Sequence, residues 1–235
     1  MLLAYNLFIY TLFILFSPVI LFFALFDLFQ FRERLSLREP DVLDSRKSIW
    51  LHGASMGEVA IIGRILPDLR QKYPRHLIVV SSTTRSGQEH IRRHMAEYVS
   101  HTVYLPLEIP FIIRRMLRFV NPEKVVLVET ELWPNFILEA KRFGARVVLI
   151  NGRISDRSFP KYLFFNFFMP RILSSIDAIG VQTREYYRRF LKIGASKSRV
   201  AVTGNIKSSL LSRPLDPETR EAHRLLLGIP AGHAV

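Results

Sequence analysis

The chain has 235 residues, a formal net charge of +13 and no cysteine. That length holds an anchor and one ordinary domain, not two large ones. Lack of thiols excludes disulfide staples and thiolate metal sites, and the positive balance favours an anionic partner such as a phosphate or an acidic membrane face.

Residues 1–27 open the chain as an expected single transmembrane anchor. Met1 to Phe26 carry no charged side chain, and the run is long enough to cross about 30 Å of hydrocarbon as a helix. Pro18 is expected to kink it. Arg32, Arg34 and Arg38 follow closely, so the positive-inside rule puts the rest of the chain on the cytoplasmic face of the inner membrane. A cleaved secretory signal fits less well, because no basic segment precedes the apolar run and no small-residue cleavage motif follows it. Residues 28–48 are charged, contain Pro40 and read as a linker.

From residue 49 short Val- and Ile-rich runs alternate with amphipathic stretches. The pattern predicts strands at 49–55, 77–83, 102–105, 124–129, 146–151, 178–182 and 199–203. It predicts helices near 57–72, 86–97, 110–119, 133–143, 162–175 and 184–193. Such alternation, with strands apolar throughout, is the pattern of a parallel sheet covered on both faces. The predicted fold class is therefore α/β, a Rossmann-like domain spanning 49–216. Pro67 sits inside the first of these helices and is expected to kink or interrupt it. The 162–175 segment carries Phe164, Phe165, Phe167, Phe168 and Met169. It reads either as a core helix or as an apolar patch resting on lipid. The arginines are spread along the chain, and no RNP, zinc-finger or helix-turn-helix pattern accompanies them, so nucleic acid is not an expected partner.

In an open α/β sheet, ligands sit beyond the carboxyl ends of the strands. After the first strand come Ser55, Gly57 and Glu58. Small residues there let a ligand approach the backbone. Glu58 is either a first-turn residue favoured by the helix dipole or a general base at the cleft edge, and residue type alone favours the former. After the fourth strand come Glu129 and Glu131. Alternation along an extended chain puts both on one face, where close carboxylates raise each other's pKa. Pro134 suits the first turn of the next helix. After the fifth strand, Arg153 and Arg157 offer cations to a phosphate or carboxylate. After the seventh, Lys207 beside Gly204 is either a solvated lysine or a group that neutralises charge on a leaving group. His90 and His94 have helical spacing but no evident third ligand, so no metal site is predicted.

These blocks together resemble a known family. His52-Gly53-Ala54-Ser55-Met56-Gly57-Glu58 is similar to the H-x-x-S-V-G-E of bacterial 3-deoxy-D-manno-octulosonic acid (Kdo) transferases. Glu129-Thr130-Glu131-Leu132-Trp133-Pro134-Asn135 resembles their E-T-E-L-W-P-N. The stretch from Asn151 to Ser158 resembles N-A-R-L-S-x-R-S, and Thr203-Gly204-Asn205-Ile206-Lys207 resembles T-G-N-L-K. Tyr104-Leu105-Pro106-Leu107-Glu108 is similar to a Y-L-P-x-D turn. The chain departs from the family pattern at Met56, Glu108, Gly152 and Ser208–Ser209.

The resemblance implies the N-terminal, acceptor-binding domain of a GT-B glycosyltransferase. Residues 217–235 would begin the connection to a second domain that holds most of the donor. The implied donor is CMP-Kdo, the implied acceptor a lipid A precursor at the inner membrane, and no cofactor is expected. By the same resemblance Glu58 is the base of an inverting transfer, Glu129 and Lys207 stabilise the transition state, and Ser55, Gly57, Glu131, Arg153 and Arg157 bind substrate. Two alternatives stand beside it: a non-catalytic relative that only binds membrane and lipid A precursor, and a glycosyltransferase using another nucleotide sugar.

Overall fold

A computed structural model of the protein describes residues 2–26, 28–37 and 46–206. Helices α1 (Leu2–Leu15) and α2 (Ser17–Leu25) come first, then a 3-10 turn and the short α3 (Phe31–Arg34). The α/β body follows as β1 (Ser48–His52), α4 (Met56–Lys72), β2 (Leu77–Ser82), α5 (Arg85–His94), β3 (His101–Tyr104), α6 (Pro110–Val120), β4 (Pro122–Val128), α7 (Pro134–Phe143), β5 (Arg146–Gly152), α8 (Phe159–Phe164), α9 (Met169–Leu173), β6 (Ala178–Val181), α10 (Arg184–Lys192) and β7 (Val200–Val202).

The strands form one seven-stranded sheet in the order β3-β2-β1-β4-β5-β6-β7, with every neighbouring pair parallel. The direction of winding reverses between β1 and β4. Alternating side chains feed two cores. Trp50, Val79, Leu127 and Leu149 pack with α6, α7, α9 and α10 on one face. Ile49, Leu51, Ile78 and Val80 pack with α4 and α5 on the other. The doubly wound parallel sheet expected from the sequence is thus present, and its switch point lies at the ends of β1 and β4.

Local chemistry sets the helix ends. Ser55, Thr84 and Thr183 cap α4, α5 and α10 by accepting backbone N–H groups of the first turn, which removes an unsatisfied donor from each. Asn121 and Gly144 end α6 and α7 in left-handed conformations. Pro67 does not interrupt α4, which continues through it to Lys72. Pro67 faces solvent, while Val59, Ile61, Ile62 and Leu66 on the same helix are buried. Each such side chain contributes about 1.5–3 kcal/mol, enough together to offset the cost of about 3 kcal/mol for an internal proline.

Three expectations are corrected. The aromatic segment 162–175 is two short helices, α8 and α9, separated by a turn. Pro170 sits in the first turn of α9, where a missing N–H is tolerated, and so marks a start rather than an interior. Phe168 and Met169 are core, whereas Phe164, Phe165 and Phe167 are exposed; each reading of the cluster holds for part of it.

The N-terminal segment bends at Pro18 as expected, but it is two helices and not the single spanning helix. Among the described residues no single helix is long and apolar enough to cross a membrane, but α1 and α2 pass that test together as a pair bent by 61°. The bend falls beside Pro18, in the first turn of α2, where Ser17 Oγ donates to Ile14 O at 2.7 Å.

Residues 28–37, expected as linker, are docked. Glu33 Oε1 accepts the Tyr104 N–H at 2.6 Å. Arg34 donates to Thr83 O at 2.6 Å and lies over the Tyr104 ring. Tyr5 of α1 packs on Phe168, and Phe13 on Phe111.

Candidate active site

Two loops meet at the switch point. The first runs from β1 into α4. A Cβ at Gly53 would lie 3.0 Å from Glu58 C, Glu58 Cβ and Val59 N, so glycine lets the first turn of α4 rest against the loop that leaves β1. Ser55 and Glu58 form a reciprocal capping box. Glu58 Oε2 accepts Ala54 N–H at 2.6 Å and Ser55 N–H at 3.4 Å. Ser55 Oγ donates to Glu58 Oε1 at 3.1 Å and accepts Glu58 N–H at 3.3 Å. Gly57 is exposed in the same turn.

Burial pushes the Glu58 carboxyl above the ordinary carboxylate range, and the nearby Glu131 charge adds to that rise. The hydrogen bonds from Ala54 and Ser55 pull in the opposite direction. The first-turn role posed by the sequence is thus present, on a carboxyl whose pKa is raised.

The second loop leaves β4. Its two carboxylates part toward different neighbouring strands, where strand alternation alone would align them. Glu129 has φ +60°, a left-handed turn that ends the extended chain. Its side chain is buried and forms an ion pair with Arg153 Nε at 2.9 Å. The Thr130 hydroxyl donates to the Arg153 carbonyl and ties the ends of β4 and β5 together. Glu131 turns the other way, toward β1. Its Oε2 accepts Trp133 Nε1–H at 2.7 Å and lies 3.6 Å from His52 Nε2. The like-charge partner of Glu131 is therefore Glu58 across the switch point.

Glu108 supports this loop from below. Its carboxylate accepts the N–H groups of Asn135 and Phe136 at the start of α7 and the Tyr5 hydroxyl. Burial raises its pKa from an ordinary 4.5 to about 7 despite those bonds. Thr130, Glu131, Leu132, Trp133 and Tyr162 line a cavity of about 220 Å³ beside the carboxylate. Burial and the Glu131 charge both push the Tyr162 hydroxyl upward.

The structure thus brings Glu58, Glu131 and Ser55 to one edge and joins Glu129 to Arg153 at the next strand. Arg157 is exposed on the following loop. Lys207 lies outside the described residues, as do residues 217–235. The chain before Lys207 is held in place: Asn151 Oδ1 accepts Ile206 N–H at 3.0 Å, and Arg64 donates to Ile206 O at 3.2 Å. Among the described residues no three His, Asp or Glu converge as metal ligands, and His90 and His94 merely face each other with ring centroids 4.7 Å apart. Sequence reading assigned no role to His52, Trp133 or Tyr162. The first two lie inside quoted motifs, but Tyr162 sits in an aromatic segment with nothing in sequence to single it out.

These loops sit on a doubly wound, parallel α/β domain. The fold is shared with solved UDP-N-acetylglucosamine 2-epimerases. One covers 78% of this chain and 61% of its own with a TM-score of 0.52 at 12% identity. Another, from Rickettsia bellii, covers 72% and 47% with a TM-score of 0.51 at 13% identity.

The family model for 3-deoxy-D-manno-octulosonic-acid transferase (kdotransferase) matches residues 30–210, and the chain belongs to that family. The 3-deoxy-D-manno-octulosonic acid transferase of Chlamydophila psittaci is 36% identical over 74% of this chain and 40% of its own length. That of Haemophilus influenzae is 34% identical over 70% and 38%. The chain thus aligns with about two-fifths of these curated relatives.

Proposed function

We propose that this domain forms the acceptor side of a glycosyltransferase that moves Kdo from CMP-Kdo to a lipid A precursor at the cytoplasmic face of the inner membrane. The observation that carries the reading is the Glu58 carboxyl, desolvated and facing Glu131 at the switch point. Raised basicity is what a general base needs to take a hydroxyl proton near neutrality.

Oxygen Oε2 of Glu58 is engaged by two backbone N–H groups, while Oε1 meets only the rotatable Ser55 hydroxyl. Oε1 therefore takes the acceptor proton. The acceptor oxygen then bonds to the anomeric carbon of Kdo as that carbon's bond to the CMP phosphate breaks, and CMP leaves with the electron pair. Attack opposite the leaving group inverts the centre. Glu129, held by Arg153, and Lys207 stabilise the charge that develops. Gly57, Ser55, Glu131 and Arg157 contact substrate.

The membrane part of the reading is supported by the exposed Phe164, Phe165 and Phe167, the apolar bent helix pair and the excess of positive charge. Apolar side chains at a headgroup boundary, joined to basic ones, bind anionic lipid surfaces.

The test is transfer of Kdo from CMP-Kdo to a phosphorylated, acylated glucosamine disaccharide by the product of the complete reading frame, wild type beside Glu58→Ala. Loss of transfer in the variant is expected, and undiminished transfer removes the base assignment. Acceptor binding by the wild type without turnover would favour the non-catalytic alternative. Preference for another nucleotide sugar in the same assay would replace the donor.

A further inference from the structure

His52 ends β1 and its side chain is wholly buried. Its Nδ1 is 2.9 Å from Ser81 Oγ. That hydroxyl also accepts the Trp50 indole N–H at 2.8 Å. An indole nitrogen only donates, so one lone pair of Ser81 is committed. The hydroxyl proton has two acceptors within reach, His52 Nδ1 at 2.9 Å and Leu51 O at 3.5 Å. The shorter contact is the better hydrogen bond. Nδ1 then accepts, and the proton of the neutral ring sits on Nε2. That Nε2 is buried and has no hydrogen-bond partner among the described residues, a rare condition for a polar atom in a folded chain. It points at Glu131 Oε2, 3.6 Å away, slightly beyond bonding range.

We propose that His52 is a positioning residue for Glu131: Trp50 and Ser81 lock its ring with the proton on Nε2, and this N–H closes on the Glu131 carboxylate when an acceptor hydroxyl enters beside it. Trp133 Nε1–H donates to the same oxygen. Between two donors the carboxylate keeps its direction in the cavity that Glu131 lines. Phe136, edge-on to both Trp50 and His52, keeps water from the ring. The catalytic part of the inference rests on the Glu58 reading; the state of the ring does not.

Two measurements separate these parts. Long-range ¹H–¹⁵N NMR on the full wild-type chain reports which ring nitrogen carries the proton. We expect a pyridine-like Nδ1 and a pyrrole-like Nε2–H, with mixing of the two forms in Ser81→Ala. A wild-type ring protonated on Nδ1 overturns the inference whether or not the protein transfers sugar.

In the Kdo transfer assay, His52→Asn keeps a polar group near Ser81 but cannot reach Glu131. We expect kcat to fall about tenfold, the loss of one hydrogen bond to a charged group. His52→Gln, which places an amide N–H near the Nε2 position, is expected to recover most of that loss. Equal losses in the two variants, tracking their melting temperatures, would reduce His52 to packing and overturn the inference. Absence of transfer in the wild type would count against the Glu58 reading, leaving the tautomer result to decide the ring.

Discussion

Glu129 reaches across the ends of two neighbouring strands to place its carboxylate 2.9 Å from Arg153 Nε. The glutamate is buried and the arginine half-exposed, so the pair caps the sheet edge next to the Glu58–Glu131 cleft. Arg153→Ala removes this cation from beside a nearly buried carboxylate. It should lower stability by about 1–2 kcal/mol, less than a fully buried pair would because solvent screens the arginine. Urea midpoints of the two proteins measure this. Glu129→Gln, which keeps a polar group and removes the charge, should cost less.

Glu58 has two jobs that glutamine separates. Glu58→Gln retains an acceptor for the Ala54 N–H and should stay within about 0.5 kcal/mol of wild type. Glu58→Ala loses half of the capping box and should cost about 1 kcal/mol. Both should lose transfer by about 10²–10⁴-fold, since neither takes a proton. Thermal melts and initial rates on the same preparations check the split. Equal activity in the glutamine variant and the wild type would remove Glu58 from the proton transfer.

Glu108 predicts a pH dependence of stability. Its pKa in the folded chain is about 7 against an ordinary 4.5, so the folded state keeps a proton that the unfolded chain has released. Its contribution is fully present below about 4.5 and is lost as pH rises through 7. The wild type should lose about 3 kcal/mol across that window relative to Glu108→Gln. Denaturant titrations at about pH 4.5 and about pH 7.5, on either side of the folded-state pKa of about 7, test it; parallel curves would mean the group ionises normally.

The exposed turn between α8 and α9 should bind membranes. Replacing Phe164, Phe165 and Phe167 together by serine removes three aromatic side chains that are largely exposed in the folded protein. Affinity for vesicles containing anionic lipid should fall at least about tenfold. Raising salt should weaken the remaining binding through the positive charge. Sedimentation with vesicles, wild type beside the variant, reads both effects; unchanged sedimentation would assign the aromatic residues to another role.

Much of this protein is decided locally, and that much is readable in its sequence. Strand and helix periods differ, so the alternating apolar runs locate the parallel sheet and its order of elements. Short-range chemistry also speaks plainly, as in Ser55 followed by Glu58 at a strand-to-helix turn. The motif blocks name the family because they keep their order along the chain.

What the sequence leaves open depends on contacts between distant residues or on one backbone angle. The left-handed turn at Glu129 sends Glu129 to Arg153 and Glu131 to His52, where strand alternation would align them. Proline signals a break without saying what lies around it, so α4 passes through Pro67 while the 162–175 stretch divides before Pro170. Docking of residues 2–26 and 28–37 rests on pairs such as Tyr5–Phe168 and Glu33–Tyr104, far apart along the chain. His52 is the clearest case. Only the sheet, by setting Trp50, Ser81 and Glu131 around one buried ring, turns an ordinary histidine into an aimed donor.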